Sequence, residues 1–212
     1  MKKCIYQLLT TLIFVLLITV SCISKTKEQK IAEAQNKLQH EIVNSIDERL
    51  AKFMASRLEN PDSYHPIRTR FAPILSNDVL YNPYIFVAAQ KLQKNIYDYH
   101  FYIAEWKKGG KDATEFLELA KCDRHYFIDP RIKDVNDYAA IIRNSYPEFA
   151  GFVIKHTCEV KSTDNEILMK NYEFVIRPNK KLELYGDSRE VKKIALFLDS
   201  LFEGKITANL VE

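Results

Sequence analysis

The stretch "FVIKHTCEVKSTDNEILMKNYEFVI", Phe152 to Ile176, decides the fold. Phe152, Ile154, His156, Cys158 and Val160 fall on one face, and Lys155, Thr157, Glu159 and Lys161 on the other. A period of two is the signature of a strand. Ser162 to Asn165 gathers turn-forming residues. Leu168, Tyr172, Phe174 and Ile176 then line the inner face of a second strand. Pro178-Asn179 turns again, and Leu182 and Leu184 begin a third. Strands joined by tight turns pair antiparallel, so the last third is expected to be an antiparallel β-meander. Asp187 and Ser188 open a closing helix whose Val191, Ile194, Ala195, Leu198 and Leu201 face inward.

Upstream the period is helical. Ile42, Ile46, Leu50, Phe53, Met54 and Arg57 follow the three-and-four spacing of one face, which predicts a long N-terminal helix over 27–59, stopped at Asn60-Pro61. Ile67 to Phe71 alternates with Arg68 and Arg70 and predicts a short strand. Pro66 and Pro73 place it at a sheet edge or cut it short. Asn82-Pro83 caps and opens a second helix, along which Ile85, Ala89, Leu92, Ile96, Tyr99, Ile103 and Trp106 form a seam up to Gly109-Gly110. Asp112 with Glu115 marks a shorter helix through Lys121, and Asp134 with Asp137 another to about Asn144. Helices come first and strands mostly together, so the fold class is α+β: a long N-terminal helix, a helical middle, and a C-terminal antiparallel meander followed by a helix.

The N-terminus carries an address. Lys2 and Lys3 precede an apolar run of 13 residues, Leu8 to Val20, broken only by threonines. That length suits a signal-peptide core and falls short of the roughly 20 residues that span a bilayer. Val20-Ser21-Cys22 closes it in the manner of a bacterial lipoprotein signal, in which the cysteine sulfur takes a diacylglycerol. An uncleaved anchor helix and an ordinary secretory signal are the other readings, and both also place the body outside the cytoplasm. The expected organisation is a signal peptide over 1–21, a tether over 22–30 and a single α+β domain over 31–212. Basic residues follow Cys22, so the expected location is the cell envelope, anchored by lipid to the outer membrane and facing the periplasm.

Two segments resemble a known group. "LENPDSYHPIRTRF", residues 58–71, is similar to the Leu-x-x-Pro-Asp-Ser-Tyr-x-x-Ile segment of small uncharacterised lipoproteins of the Bacteroidetes. The Phe152–Ile176 hairpin resembles theirs, with His156 where those proteins often carry a histidine, although Ser162-Thr163-Asp164-Asn165 replaces their Asn-x-Phe-Gly turn. The resemblance implies the compartment and the helix-then-hairpin order; it brings no activity with it.

Removing the first 21 of 212 residues leaves 191, enough for one ordinary core, and takes Lys2 and Lys3 with it, so the charge falls from +3 to +1. A near-neutral body is not composed for nucleic acid. Gly109-Gly110-Lys111 lacks the first glycine and the preceding strand of a phosphate loop, and Gly-x-Ser-x-Gly and His-Glu-x-x-His are both absent. No catalytic residue and no cofactor is assigned from the sequence.

Four groups of residues remain as candidates. Cys122 and Cys158, in an oxidising compartment, are expected to form a disulfide. Buried free thiols, a zinc set of Cys122, His125, His156 and Cys158, and a catalytic Cys–His pair with Asp123 orienting His125 are the alternatives. Phe86, Tyr97 and Phe101 fall opposite the seam of the second helix. They are either sandwiched in the core or form a docking surface for another envelope protein or a glycan. Arg68 and Arg70, near Tyr64 and His65, either grip an anion or form a solvated face. The leading functional expectation is a membrane-tethered, non-enzymatic binding or scaffolding module held through lipidated Cys22. The alternative is an envelope hydrolase or redox protein using a Cys–His pair.

Overall fold

The computed structural model describes residues 27–208, apart from 163 and 165, together with residue 210. The signal-peptide and Cys22 expectations lie outside these residues. The chain divides into two compact units, 1–44 and 45–212. In the first, α1 (Lys27–Asn44) is a mostly polar, exposed helix. The second begins with α2 (Ile46–Ala55), which buries Ile46, Leu50 and Met54. One uninterrupted helix over 27–59 is therefore not what the structure shows: the helix is broken at Ser45 and ends at Ala55. Among the described residues, no helix is long and apolar enough to cross a membrane.

Four antiparallel strands form one sheet in sequence order: β1 (His65–Leu75), β2 (Phe149–Lys161), β3 (Ile167–Ile176) and β4 (Leu182–Asp187). The meander is as expected, and β1 joins it at the edge. That strand is longer than its prolines suggested, and a bulge explains why. Pro66 pairs with Cys158 and Pro73 with Phe152, while Ile67 is the extra residue between Pro66 and Arg68. The bulge thus puts both prolines in the same phase of the ladder. On an edge strand, one phase points its N–H groups away from the partner, where a missing donor costs nothing.

The sheet is covered on both faces. One face carries Ile154, His156, Cys158, Phe174 and Ile176, all buried. The helix α2 lies over it, with Phe53 edge-to-face on Phe174 at 5.3 Å and Arg49 Nη1 donating to the Lys180 carbonyl at 2.8 Å. The other face offers Val153, Val175 and Tyr185 to the main core. There they meet α3 (Pro83–Lys108), a long helix over 113–143, and α6 (Ser188–Phe202); a short α7 (Lys205–Ala208) follows. A sheet packed on both faces explains why apolar residues interrupt the polar phase at Val153 and Val175.

Local chemistry sets the helix ends. The Asn82 side chain accepts from the amides of Tyr84 and Ile85 at 3.1 and 3.2 Å, and α3 stops at Gly109, whose φ is +73°. The Asp187 side chain accepts from the Arg189 amide at 2.8 Å and opens α6. Asp112 stands at the expected cap of the next helix but makes no side-chain cap bond. The two separate helices expected over 112–121 and 134–144 are one continuous rod. Its first part, α4 (Ala113–Asp123), runs through a wide π-turn (Arg124–Ile128) into α5 (Asp129–Arg143). Pro130 sits just past the turn and explains it. Proline within a helix has no amide to give and crowds the carbonyl four residues back. A widened turn, in which the Asp129 amide bonds Arg124 O, accommodates that loss without breaking the helix.

Gly151 in β2 has φ +129°, and a Cβ there would lie 2.1 Å from the Ile176 carbonyl oxygen. Both the backbone conformation and the space therefore demand glycine. Gly151→Ala is expected to cost at least about 1–3 kcal/mol. A lowered urea midpoint at unchanged slope is the predicted result, and an unchanged midpoint contradicts it.

Candidate functional site

The polar phase of the sheet gathers a group of charges. Strand pairing sets Arg70 opposite Lys155 and Lys155 opposite Glu173. A second row sets Arg68 opposite Thr157 and Thr157 opposite Asn171. These rows form the floor and one wall of a cleft of about 540 Å³. The facing wall is the first turns of α6, with Ser188, Arg189, Lys192 and the apolar Val191 and Ala195, joined by Leu80 and Tyr81.

Five cationic side chains line this cleft against one carboxylate. Glu173 is that carboxylate, and its side chain is only 5% exposed. It accepts from the Tyr81 hydroxyl at 3.2 Å and pairs with Lys155 Nζ at 3.5 Å. Arg189 lies 3.9 Å from Asp187 on an exposed turn, a distance and setting worth little. Arg68, Arg70 and Lys192 make no ion pair with the described residues. Thr157 Oγ1 donates to Asn171 Oδ1 at 2.8 Å, closing the second row. Arg70 opposite Lys155 is a like-charge pair, and such pairs destabilise a ladder.

Tyr81 is fixed from behind. Its carbonyl accepts from Arg177 Nη2 and from the Tyr185 hydroxyl, each at 2.7 Å, and Arg177 Nη2 also reaches that hydroxyl at 2.7 Å. Burial, with Glu173 adding to it, raises the Tyr81 phenol well above its ordinary value, so the hydroxyl stays a donor. Burial pushes Tyr185 up to about 12.

The cysteines and His125 lie elsewhere, and His156, which contributes to the cleft lining, has its ring engaged by Tyr64 and Thr69. Both thiols are free. Cys122 is exposed on α4, and Cys158 is buried in β2 on the face beneath α2, so the expected disulfide is not formed. The physical reason is placement. The helical rod lies on the sheet face opposite to the one that holds Cys158. The spacing in sequence could not show this. His125 is exposed on the π-turn, away from His156 and Cys158. Among the described residues no three His, Cys, Asp or Glu side chains gather to hold a metal. His156, 1% exposed, has both ring nitrogens engaged: Nε2 with the Tyr64 hydroxyl at 2.8 Å and Nδ1 with Thr69 Oγ1 at 3.1 Å. It has no nitrogen left for Cys158, whose thiol burial pushes up. This pattern is a core histidine tying the 3₁₀ turn (Pro61–Ser63) and β1 to β2, and burial pushes the Tyr64 phenol up to about 12.

The aromatic stripe divides. Phe86 is in the core, 4.5 Å from the Tyr185 ring, because the first turns of α3 are enclosed by the sheet as well as by helices. It is not part of a docking surface. Tyr97 is 73% and Phe101 49% exposed. Tyr97 borders a shallow groove of about 610 Å³ with Ile96, Leu196, Phe197 and Ile206.

Of the sequence candidates, the structure brings Arg68 and Arg70 to the cleft, where His156 also contributes to the lining, and leaves the others outside it. Sequence reasoning missed Lys155, Thr157, Asn171, Glu173, Arg189 and Lys192. The available signals were an acidic residue inside the apolar run Tyr172 to Ile176 and the cationic phase of β2, which reads as a solvated face. No protein-family model matches this sequence, and no curated protein or solved structure matches it either.

Burial lowers the His156 pKa, with Asp47 partly offsetting the effect. The neutral ring is the folded form. Between the folded pKa and the unfolded value of about 6.5, only the unfolded chain takes the proton, so stability falls with pH there and levels off below the folded pKa. Urea midpoints should drop between pH 7.5 and 5.5, and His156→Gln should flatten that drop. An equal slope in both proteins would contradict the assignment.

Proposed function

We propose that the protein is a membrane-tethered periplasmic lipoprotein, and that its body is a non-enzymatic binding module whose sheet cleft takes an anionic ligand. The observation that carries the binding role is the convergence of Arg68, Arg70 and Lys192 in one cleft without ion-pair partners among the described residues, next to the like-charged pair Arg70 and Lys155. That arrangement costs stability in the empty protein. An anion removes the cost and gains charge-assisted hydrogen bonds.

The tether rests on the sequence. The apolar run Leu8 to Val20, the Val20-Ser21-Cys22 junction and the resemblance to small Bacteroidetes lipoproteins support lipidation at Cys22 and an outer-membrane, periplasm-facing position. The exposed Tyr97 and Phe101 support a second contact, with another envelope protein or a glycan. The rival reading, a hydrolase or redox protein built on a Cys–His pair, has less support. His156 is fully engaged, the Cys158 thiol is held protonated by burial, and Cys122 and His125 stand exposed.

Two outcomes are expected. Citrate should bind the full-length protein in detergent, and Arg68→Ala with Arg70→Ala should weaken it at least tenfold, about 1.4 kcal/mol, at a melting temperature no lower than that of the wild type. Calorimetry reads both numbers, and equal affinity in the variant would overturn the cleft as an anion site. Separately, Cys22→Ser should release the protein from membranes or leave its precursor uncut. Mass spectrometry of native protein showing residues 1–21 intact, or Cys22 unmodified, would overturn the tether.

A further inference from the structure

Glu173 does not suit a site for simple anions. A carboxylate at the floor of a cationic cleft repels a phosphate or a compact polycarboxylate and cancels part of the attraction of the rim. Yet Glu173 is the most buried charged side chain in the cleft, held at the centre of β3. Its two known partners are the Tyr81 hydroxyl at 3.2 Å and Lys155, 60% exposed, at 3.5 Å. An ionised carboxylate accepts about four hydrogen bonds, so acceptor capacity remains on the cleft floor.

The group that uses this capacity must donate hydrogen bonds. An ammonium would do so, but it would sit among five cationic side chains. A hydroxyl donates without carrying positive charge and is neutral to that field. Asn171 beside Glu173 offers a further polar contact, and Tyr81, Leu80, Val191 and Ala195 supply a wall of rings and methyl groups. The rim cations are bidentate or point donors for carboxylate. The volume, about 540 Å³, lies in the range of small-ligand sites.

Resting on the anion-binding reading of this same cleft, we infer that its ligand is an acidic saccharide. The carboxylates lie on Arg68, Arg70 and Lys192, the hydroxyls donate to Glu173, and the C–H face of the sugar lies on the Tyr81–Val191 wall. Glu173 then sets specificity: it selects hydroxylated anions against compact ones.

The test compares three probes on the full-length protein in detergent: trigalacturonate, citrate and the neutral maltotriose. Trigalacturonate should bind at least tenfold tighter than citrate, and maltotriose more weakly than trigalacturonate. Arg70→Ala should weaken both anions. Glu173→Gln should weaken trigalacturonate several-fold while leaving citrate equal or tighter. Citrate binding as tightly as trigalacturonate, or Glu173→Gln strengthening both alike, would overturn the saccharide inference and leave the anion cleft standing. Failure of both anions to bind the folded wild-type protein would overturn the two together. If Glu173→Gln does not fold, the wild-type ratio of trigalacturonate to citrate decides.

Discussion

The antiparallel pairing of β2 with β3 is the constraint on which the rest depends. Its register sets Ile154 against Phe174 and His156 against Tyr172 on one face, and Val153 against Val175 and Lys155 against Glu173 on the other. A slip of one residue would exchange the two sets. It would drive Lys155 or Glu173, depending on which strand shifts, beneath α2 and turn that strand's apolar row toward the opposite face. Both faces are covered, so the register is fixed from both sides. The first face is given over to packing, with Phe174, Ile154 and Ile176 completely buried. The second is divided: Val153 and Val175 anchor the helices, and the residues between them and β1 form the cleft.

The cleft is held open by polar groups that the fold satisfies in sequence. Arg177 and Tyr185 pin the Tyr81 carbonyl, which places the Tyr81 hydroxyl over Glu173. Glu173 in turn draws Lys155, and Lys155 stands across the ladder from Arg70. The first links are hydrogen bonds and an ion pair, and the last is the like-charge facing of Lys155 and Arg70 at the sheet edge. No buried side-chain nitrogen or oxygen among the described residues lacks a partner. On the proposed reading, the exposed ends of Arg68, Arg70 and Lys192 are the groups that meet the ligand.

Much of the architecture was legible in the residues. The period-two hairpin, the Asn82-Pro83 start of α3, the Asp187 start of α6 and the edge position of β1 all follow from local chemistry, and the structure has them. Other features depended on what the chain meets at long range. The residues predict two separate helices over 112–121 and 134–144, but a π-turn absorbs Pro130 and the helix runs on. Phe86 reads as the back of α3 until Tyr185 reaches it from the sheet. Cys122 and Cys158 read as partners until the sheet comes between them. The cleft was half visible: Arg68 and Arg70 stood out, but a buried glutamate and the cations of α6 become neighbours only after β1 to β4 and α6 close together.

The central claim is that Arg68 and Arg70 are the ligand-facing cations of the sheet. The most direct measurement is an NMR titration of arginine side-chain Nε–H resonances in the full-length protein with trigalacturonate. The account predicts that Arg68 and Arg70 shift and saturate together. Arg49, bonded to the Lys180 carbonyl at 2.8 Å, and Arg57, set over the Phe53 ring at 5.4 Å, should stay in place. Unchanged Arg68 and Arg70 resonances, or shifts no larger than those of Arg57, would contradict it.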